Sequence, residues 1–175
     1  MPLVAVVLCY SGGVACGEPW IKPLRDFAPP AVDLVAAMPY TALQSMFDES
    51  APKGILSFWK TEYLRDLEDP TIDILIAQAD KMPGPLSVVH IHHVGGAISR
   101  VHDDATAFAH REMPFILNEV GMWTTAPETD AQIAWVREFS RAVAPHSTGA
   151  QFLNFLAQEG KQESGPRTAK PSSRG

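Results

Sequence analysis

Proline and glycine cut the apolar residues of this 175-residue chain into short segments, and the period inside each segment decides what it can become. Leu3 to Cys9 is rich in β-branched residues and closes on Ser11-Gly12-Gly13, the pattern of a strand buried on both faces and then a turn. Glu18-Pro19-Trp20 opens a helix that ends near Phe27 before Pro29-Pro30, and Met38-Pro39-Tyr40 opens another with Leu43, Met46 and Phe47 at helical spacing. Gly54 to Lys60 reads as a second strand. Asp69-Pro70 reads as an N-cap and a first-turn proline, launching Ile72, Leu75, Ile76 and Ala79 along one face. Pro83-Gly84-Pro85 stops that helix, Leu86 to Val94 is a strand, and Gly95-Gly96 turns Ala97 to Val101 back as an antiparallel hairpin partner. Pro114 to Trp123 is a further strand. Thr125 to Asp130 then caps a helix with Ile133, Val136, Phe139 and Val143 facing inward, and Gln151 to Leu156 is the last strand.

Strands and helices therefore interleave, and the hairpin argues for an antiparallel or mixed sheet, hence an α+β fold without repeats. The length fits one compact domain, drawn over residues 1–160. Residues 161–175 carry no large apolar side chain and are expected to be a disordered tail of local charge +3. With 46% hydrophobic residues and two cysteines, the chain needs neither a disulfide framework nor a structural metal. Cys9 and Cys16 read as buried thiols in a reducing compartment, which makes the expected location cytoplasmic. Fourteen Lys and Arg against twenty Asp and Glu, with no basic cluster before the tail, argue against nucleic-acid binding. No apolar run exceeds Leu3 to Leu8, far below the roughly 20 residues of a membrane span. Val14-Ala15-Cys16 is similar to a lipobox, but no Lys or Arg precedes the short apolar run, so a signal peptide is not expected.

His90-Ile91-His92-His93 is the segment with metal-ligand character, because His90 and His92 share one face of a strand. Gly84, five residues and then His-x-His matches the opening of a cupin metal motif, yet Gly96 and Ala97 stand where its Glu belongs. No metal is therefore expected, and a small His-liganded metal enzyme is kept only as an alternative. Neither Ser11 nor the cysteines sit in a nucleophile motif, and the paired glycines do not form a phosphate-binding loop. Glu119 lies among apolar neighbours. Facing a pocket, it would have a raised pKa suited to taking a proton; on an outward strand face it would be an ordinary surface carboxylate.

The order of the remaining motifs carries more than any one of them. Met38-Pro39-Tyr40-Thr41-Ala42-Leu43-Gln44, Phe58-Trp59-Lys60, His92-His93-Val94-Gly95-Gly96-Ala97, Thr106-Ala107-Phe108-Ala109-His110-Arg111, Trp135-Val136-Arg137 and Phe152-Leu153-Asn154-Phe155 follow one another. This series resembles the substrate-side portion of the berberine-bridge-enzyme-like FAD-linked oxidases, from about Leu3 to Gly160. The resemblance implies an α+β domain whose mainly antiparallel sheet covers the flavin, with helices packed on its other face. It further implies an oxidoreductase in which hydride passes from a small organic substrate to FAD, the cofactor being held mostly by an FAD-binding domain outside these motifs. The isolated chain is accordingly expected to be inactive. Asn154 matches the aromatic-x-Asn-aromatic motif and is the first catalytic candidate, beside Glu119, which is read from the residues alone. Tyr40, Gln44, Lys60, His92 and His110 match family positions expected to face substrate or flavin, as does Phe155, which stands where several relatives carry a Tyr base. The implied partners are the substrate and an FAD-binding domain or subunit, with a homo-oligomer possible. A non-catalytic binding or oligomerisation module is the other alternative.

Overall fold

A computed structural model of the protein describes residues 3–50 and 52–152. The chain groups into two compact units, residues 1–52 and 53–175. The expected strand at Leu3 to Cys9 is absent, because no described residue hydrogen-bonds to its backbone and Leu3, Val4, Val6 and Val7 are exposed. Cys9 and Cys16 are exposed rather than buried, and both are free thiols.

The first unit contains α1 (Glu18–Phe27) and the short α2 (Tyr40–Ser45), which begin where the prolines set them. Arg25 organises the segment after α1, pairing with Glu18 at 2.9 Å and with Asp33 at 2.6 Å. Such exposed pairs, screened by solvent, add little to stability and mainly orient the segment. Trp20, Leu24 and Phe27 remain exposed on α1, and Gly17 is the one buried position among the described residues of this unit.

The second unit is built on a three-stranded antiparallel sheet in the order β1 (Leu56–Leu64), β3 (Phe115–Trp123), β2 (Val88–His93). Its pattern corrects two expectations. β1 runs on to Leu64 because Tyr63 and Leu64 are buried and their backbones bond to 147–150. Ala97 to Val101 forms turns rather than a hairpin strand, and β2 takes β3 as its partner across that loop. β3 is the strand with the buried side chains, and pairing along its free edge outweighs the proximity of a Gly-Gly turn for the largely exposed β2.

Two helices, α3 (Asp69–Ala79) and α4 (Thr129–Val143), cover one face of the sheet. The core there joins Leu64, Leu117 and Trp123 to Leu75, Val136 and Phe139. α4 lies as the sequence predicts, with Val136, Phe139 and Val143 buried. Its start is fixed by Glu128, whose Oε2 accepts from the Thr125 amide at 3.0 Å and hydroxyl at 2.9 Å. Gly121 lets α4 approach β3, since a Cβ there would meet Val136 Cγ2 at 3.2 Å. α3 differs from expectation: Thr71, Leu75 and Gln78 are buried, while Ile72 and Ile76 are exposed. Polar anchors set that rotation. The Thr71 hydroxyl lies 3.1 Å from His146 Nδ1, and the Gln78 carbonyl accepts from Trp135 Nε1 at 2.9 Å. Asp69 is likewise inside the helix rather than at its N-cap, which is Glu68.

Two carboxylates are buried on the helix-covered face. Glu62 is satisfied, accepting from Ser140 Oγ at 2.8 Å and Ser147 Oγ at 2.7 Å, which ties β1 to α4 and to the segment beyond it. Glu119 is fully buried, and neither of its oxygens has a hydrogen-bond partner among the described residues. Burial, reinforced by neighbouring Glu62, pushes its pKa from 4.5 up to about 8, against a smaller opposing pull from Lys60.

These contacts give two expectations. Phe139→Ala, which empties a fully buried site between helix and sheet, lowers unfolding free energy by about 3–5 kcal/mol in a urea titration. Glu119 holds its proton more tightly folded than unfolded, so its contribution to stability is complete below pH 4.5 and is lost as pH rises through about 8. Glu119→Gln removes that loss. The difference in unfolding free energy between variant and parent, read from urea titrations, therefore moves in the variant's favour from pH 5 to pH 8, by an amount on the order of a few kcal/mol. An unchanged difference across that range contradicts a protonated buried Glu119.

Candidate functional site

Residues directly opposite one another in a sheet share a face, so the register of β3 sorts every side chain. Asn118 stands opposite Thr61 on β1 and His90 on β2; Ile116 stands opposite Tyr63 and His92. These rows lie on the face turned away from α3 and α4. Glu119 stands opposite Lys60 and Val89, on the helix-covered face.

The row through Asn118 combines unlike polar groups. The Thr61 hydroxyl donates to the Leu117 carbonyl at 2.9 Å, which leaves its lone pairs as acceptors. Asn118 is 6% exposed, and its Oδ1 has no hydrogen-bond partner among the described residues. Such a group costs roughly 1–3 kcal/mol if left unmet, and is a position from which a ligand can be recognised. The His90 and His92 rings meet edge to face with centroids 5.8 Å apart. Burial lowers both of their pKa values below 6.5, and the neighbouring His92 adds to the effect on His90. Near neutral pH both are neutral imidazoles, able to donate from one ring nitrogen and accept at the other.

One end of this face is closed by the loop between β2 and β3. Tyr63, Val94 and Ile116 form a second small core with Phe108, Met113 and Phe152. His110, held at φ +60°, rests its ring 5.1 Å from that of Tyr63. Arg111 is buried beside it, donates to the Ile98 carbonyl at 3.2 Å and to the Thr106 hydroxyl, and lies 4.8 Å over the Phe108 ring. The Thr106 to Arg111 motif is thus a clasp that shapes the loop.

The expected site residues separate. His92 lies on the face away from the helices, with His110 in the loop that closes its end. Glu119 and Lys60 do not join them, because period-two alternation turns both toward α4. Tyr40 and Gln44 are exposed one turn apart on α2, in the first unit. Asn154 and Phe155 lie outside the described residues, as do positions 153–156 of the expected last strand and the 161–175 tail. Asn118, Thr61 and Tyr63 were not singled out from sequence. The alternation that flags Glu119 also assigns Asn118 to the opposite face, but its pairing with Thr61 and His90 is nonlocal. For a metal, His90 and His92 share a face as their spacing requires, yet among the described residues no group of three His, Cys, Asp or Glu could hold an ion.

No protein-family model matches the chain. An FAD-linked oxidoreductase of Dictyostelium discoideum is 24% identical over 148 residues, covering 83% of this chain and 33% of that protein. Among solved structures, BBE-like 1 of Physcomitrella patens matches 84% of this chain with a TM-score of 0.71 and 19% identity, over 35% of its own length. The 6-hydroxy-D-nicotine oxidase of Arthrobacter nicotinovorans matches 84% with a TM-score of 0.64 and 17% identity, over 34% of its length. GilR, an oxidoreductase of gilvocarcin biosynthesis, matches 82% with a TM-score of 0.62 and 18% identity, over 33% of its length. The chain thus spans about a third of the proteins it resembles, and over that stretch it has the α+β fold of the berberine-bridge-enzyme-like FAD-linked oxidases.

Proposed function

We propose that this chain is the substrate-side portion of an FAD-dependent oxidoreductase, and that the sheet face bearing Thr61, Asn118, His90 and His92 is the one turned to flavin and substrate. The observation that carries the reading is Asn118: a buried amide whose oxygen has no partner among the described residues, set in a row of polar groups on the sheet face away from the helices, in a fold shared with FAD-linked oxidases. Flavin supplies a hydride acceptor when bound. The chain's own residues supply the rest. Asn118 Oδ1 accepts a hydrogen bond from an N–H or O–H of the bound group, and His90 and His92, neutral near pH 7, are the groups able to take a proton from a small organic substrate. Glu119 has no part in that step, since it faces α4. The partners in this reading are the substrate and an FAD-binding domain or subunit, without which the isolated chain is inactive. Two free thiols are in keeping with a cytoplasmic location, and no described helix is long and apolar enough to cross a membrane.

Amide and imidazole NMR shifts during titration with riboflavin, which carries the isoalloxazine ring without phosphates, test the assignment of the face. Shifts concentrated at Thr61, His90, His92 and Asn118 are expected, and Asn118→Leu weakens them. Shifts confined to α3 and α4 contradict the assignment. FAD binding by the isolated chain is expected to be weak, so a stoichiometric flavin absorbance near 450 nm (roughly the usual flavin band) in the purified protein contradicts the division of labour.

A further inference from the structure

Asn118 Oδ1 has a counterpart of opposite polarity on the neighbouring strand. Trp59 lies two residues before Thr61 on β1 and stands opposite Val120, so period-two alternation puts its side chain on the face away from α3 and α4. Its indole Nε1 is buried and has no hydrogen-bond partner among the described residues. The other tryptophans differ: Trp123 Nε1 donates to Thr129 Oγ1 at 2.9 Å, Trp135 Nε1 donates to the Gln78 carbonyl at 2.9 Å, and Trp20 is exposed. Trp59 and Asn118 are diagonal neighbours in the ladder, a relation in which the residues stand about 7–8 Å apart and large side chains still reach one another.

An indole N–H only donates, and an amide oxygen only accepts. These two do not bond to each other, so a donor and an acceptor stand side by side on one face, both withdrawn from water and neither used among the described residues. The two rows that hold them contain no formal charge near neutral pH. Trp59, Val120 and Val88 form one row; Thr61, Asn118 and His90 form the next, with His90 held below the usual imidazole range by burial. The Thr61 hydroxyl proton is already given to the Leu117 carbonyl. An uncharged group that offers an acceptor to the indole and a donor to the amide from a single edge satisfies both orphaned atoms at once.

We propose that Trp59 and Asn118 together recognise an amide-type edge of the bound molecule, a C=O beside an N–H, with the carbonyl accepting from Trp59 Nε1 and the N–H donating to Asn118 Oδ1. This recognition rests on the assignment of the face to flavin and substrate, and adds the chemical group that the face reads. Such an edge has two sources within that assignment: the imide of the flavin ring, and a lactam or imide carried by the substrate.

The Trp59 indole N–H resonance of the full chain, assigned by isotope-edited NMR, is followed during titration with lumiflavin and, separately, with δ-valerolactam. Each ligand is compared with the form methylated on its imide or lactam nitrogen, which keeps the carbonyl and lacks the donor. The indole resonance is expected to move to lower field, and the methylated form to bind about tenfold more weakly. Asn118→Leu abolishes that discrimination, because the acceptor that senses the N–H is gone, whereas Trp59→Phe weakens both forms alike. Discrimination with lumiflavin assigns the edge to flavin, and discrimination with the lactam alone assigns it to substrate. An indole resonance that neither ligand moves overturns the proposal, as does equal binding of parent and methylated forms; both comparisons use the unaltered chain and hold if a variant does not fold. Lumiflavin shifts gathered at Thr61, His90 and Asn118 without discrimination overturn the paired recognition and leave the face assignment standing, whereas shifts confined to α3 and α4 overturn both.

Discussion

β3 is paired along both edges, with β1 through all nine of its residues and with β2 through six, and this double pairing fixes what every neighbouring side chain can do. A central strand cannot slip by one residue without turning its whole apolar set to the wrong side. Leu117, Gly121 and Trp123 must meet α3 and α4, so Ile116, Asn118 and Val120 must face away from them. The helix side is held by core packing, by the close approach at Gly121 and by the hydroxyl pair on Glu62. The other side is left for polar groups whose partners are not all within the described chain.

The same sorting separates two kinds of chemistry. On the helix side, Glu119 is kept neutral by burial, opposite Lys60 in the register of the sheet. On the far side, partial desolvation holds His90 and His92 below the usual imidazole range, next to an amide and a hydroxyl. Desolvation raises an acid's pKa and lowers that of a base, so one physical effect leaves both sides uncharged near pH 7 at these positions. What differs is access: Glu119 is sealed, whereas the β2 histidines are at the exposed edge strand.

Local pattern made much of this legible. The helical period of Ile133, Val136, Phe139 and Val143, the Pro70 start of α3, and the span of β3 all follow from residues near one another in sequence. The failures are long-range. Leu3 to Cys9 has the composition of a buried strand but no described partner, and composition does not supply one. Gly95-Gly96 has the chemistry of a hairpin turn, but β2 pairs with β3, beyond the loop over 94–114. α3 is rotated by Thr71 and Gln78, whose partners His146 and Trp135 lie some 57 to 75 residues away. Glu119 was recognisable as an unusual carboxylate, since an acid within an apolar strand has a raised pKa on any buried face. Which face it takes, and hence that Asn118 rather than Glu119 stands beside the histidines, depends on α4 and could not be read from β3 alone.

Both faces of the sheet depend on that one-residue distinction, and isotope-edited NMR of the chain measures it directly through cross-strand contacts around 118 and 119. The register described here predicts backbone contacts pairing Asn118 with Thr61 and His90, and side-chain contacts from Leu117 to α4. Contacts pairing Glu119 with Thr61 and His90 would shift the strand by one residue, turn the carboxylate to the histidine face, and contradict both the assigned site and the origin of its raised pKa.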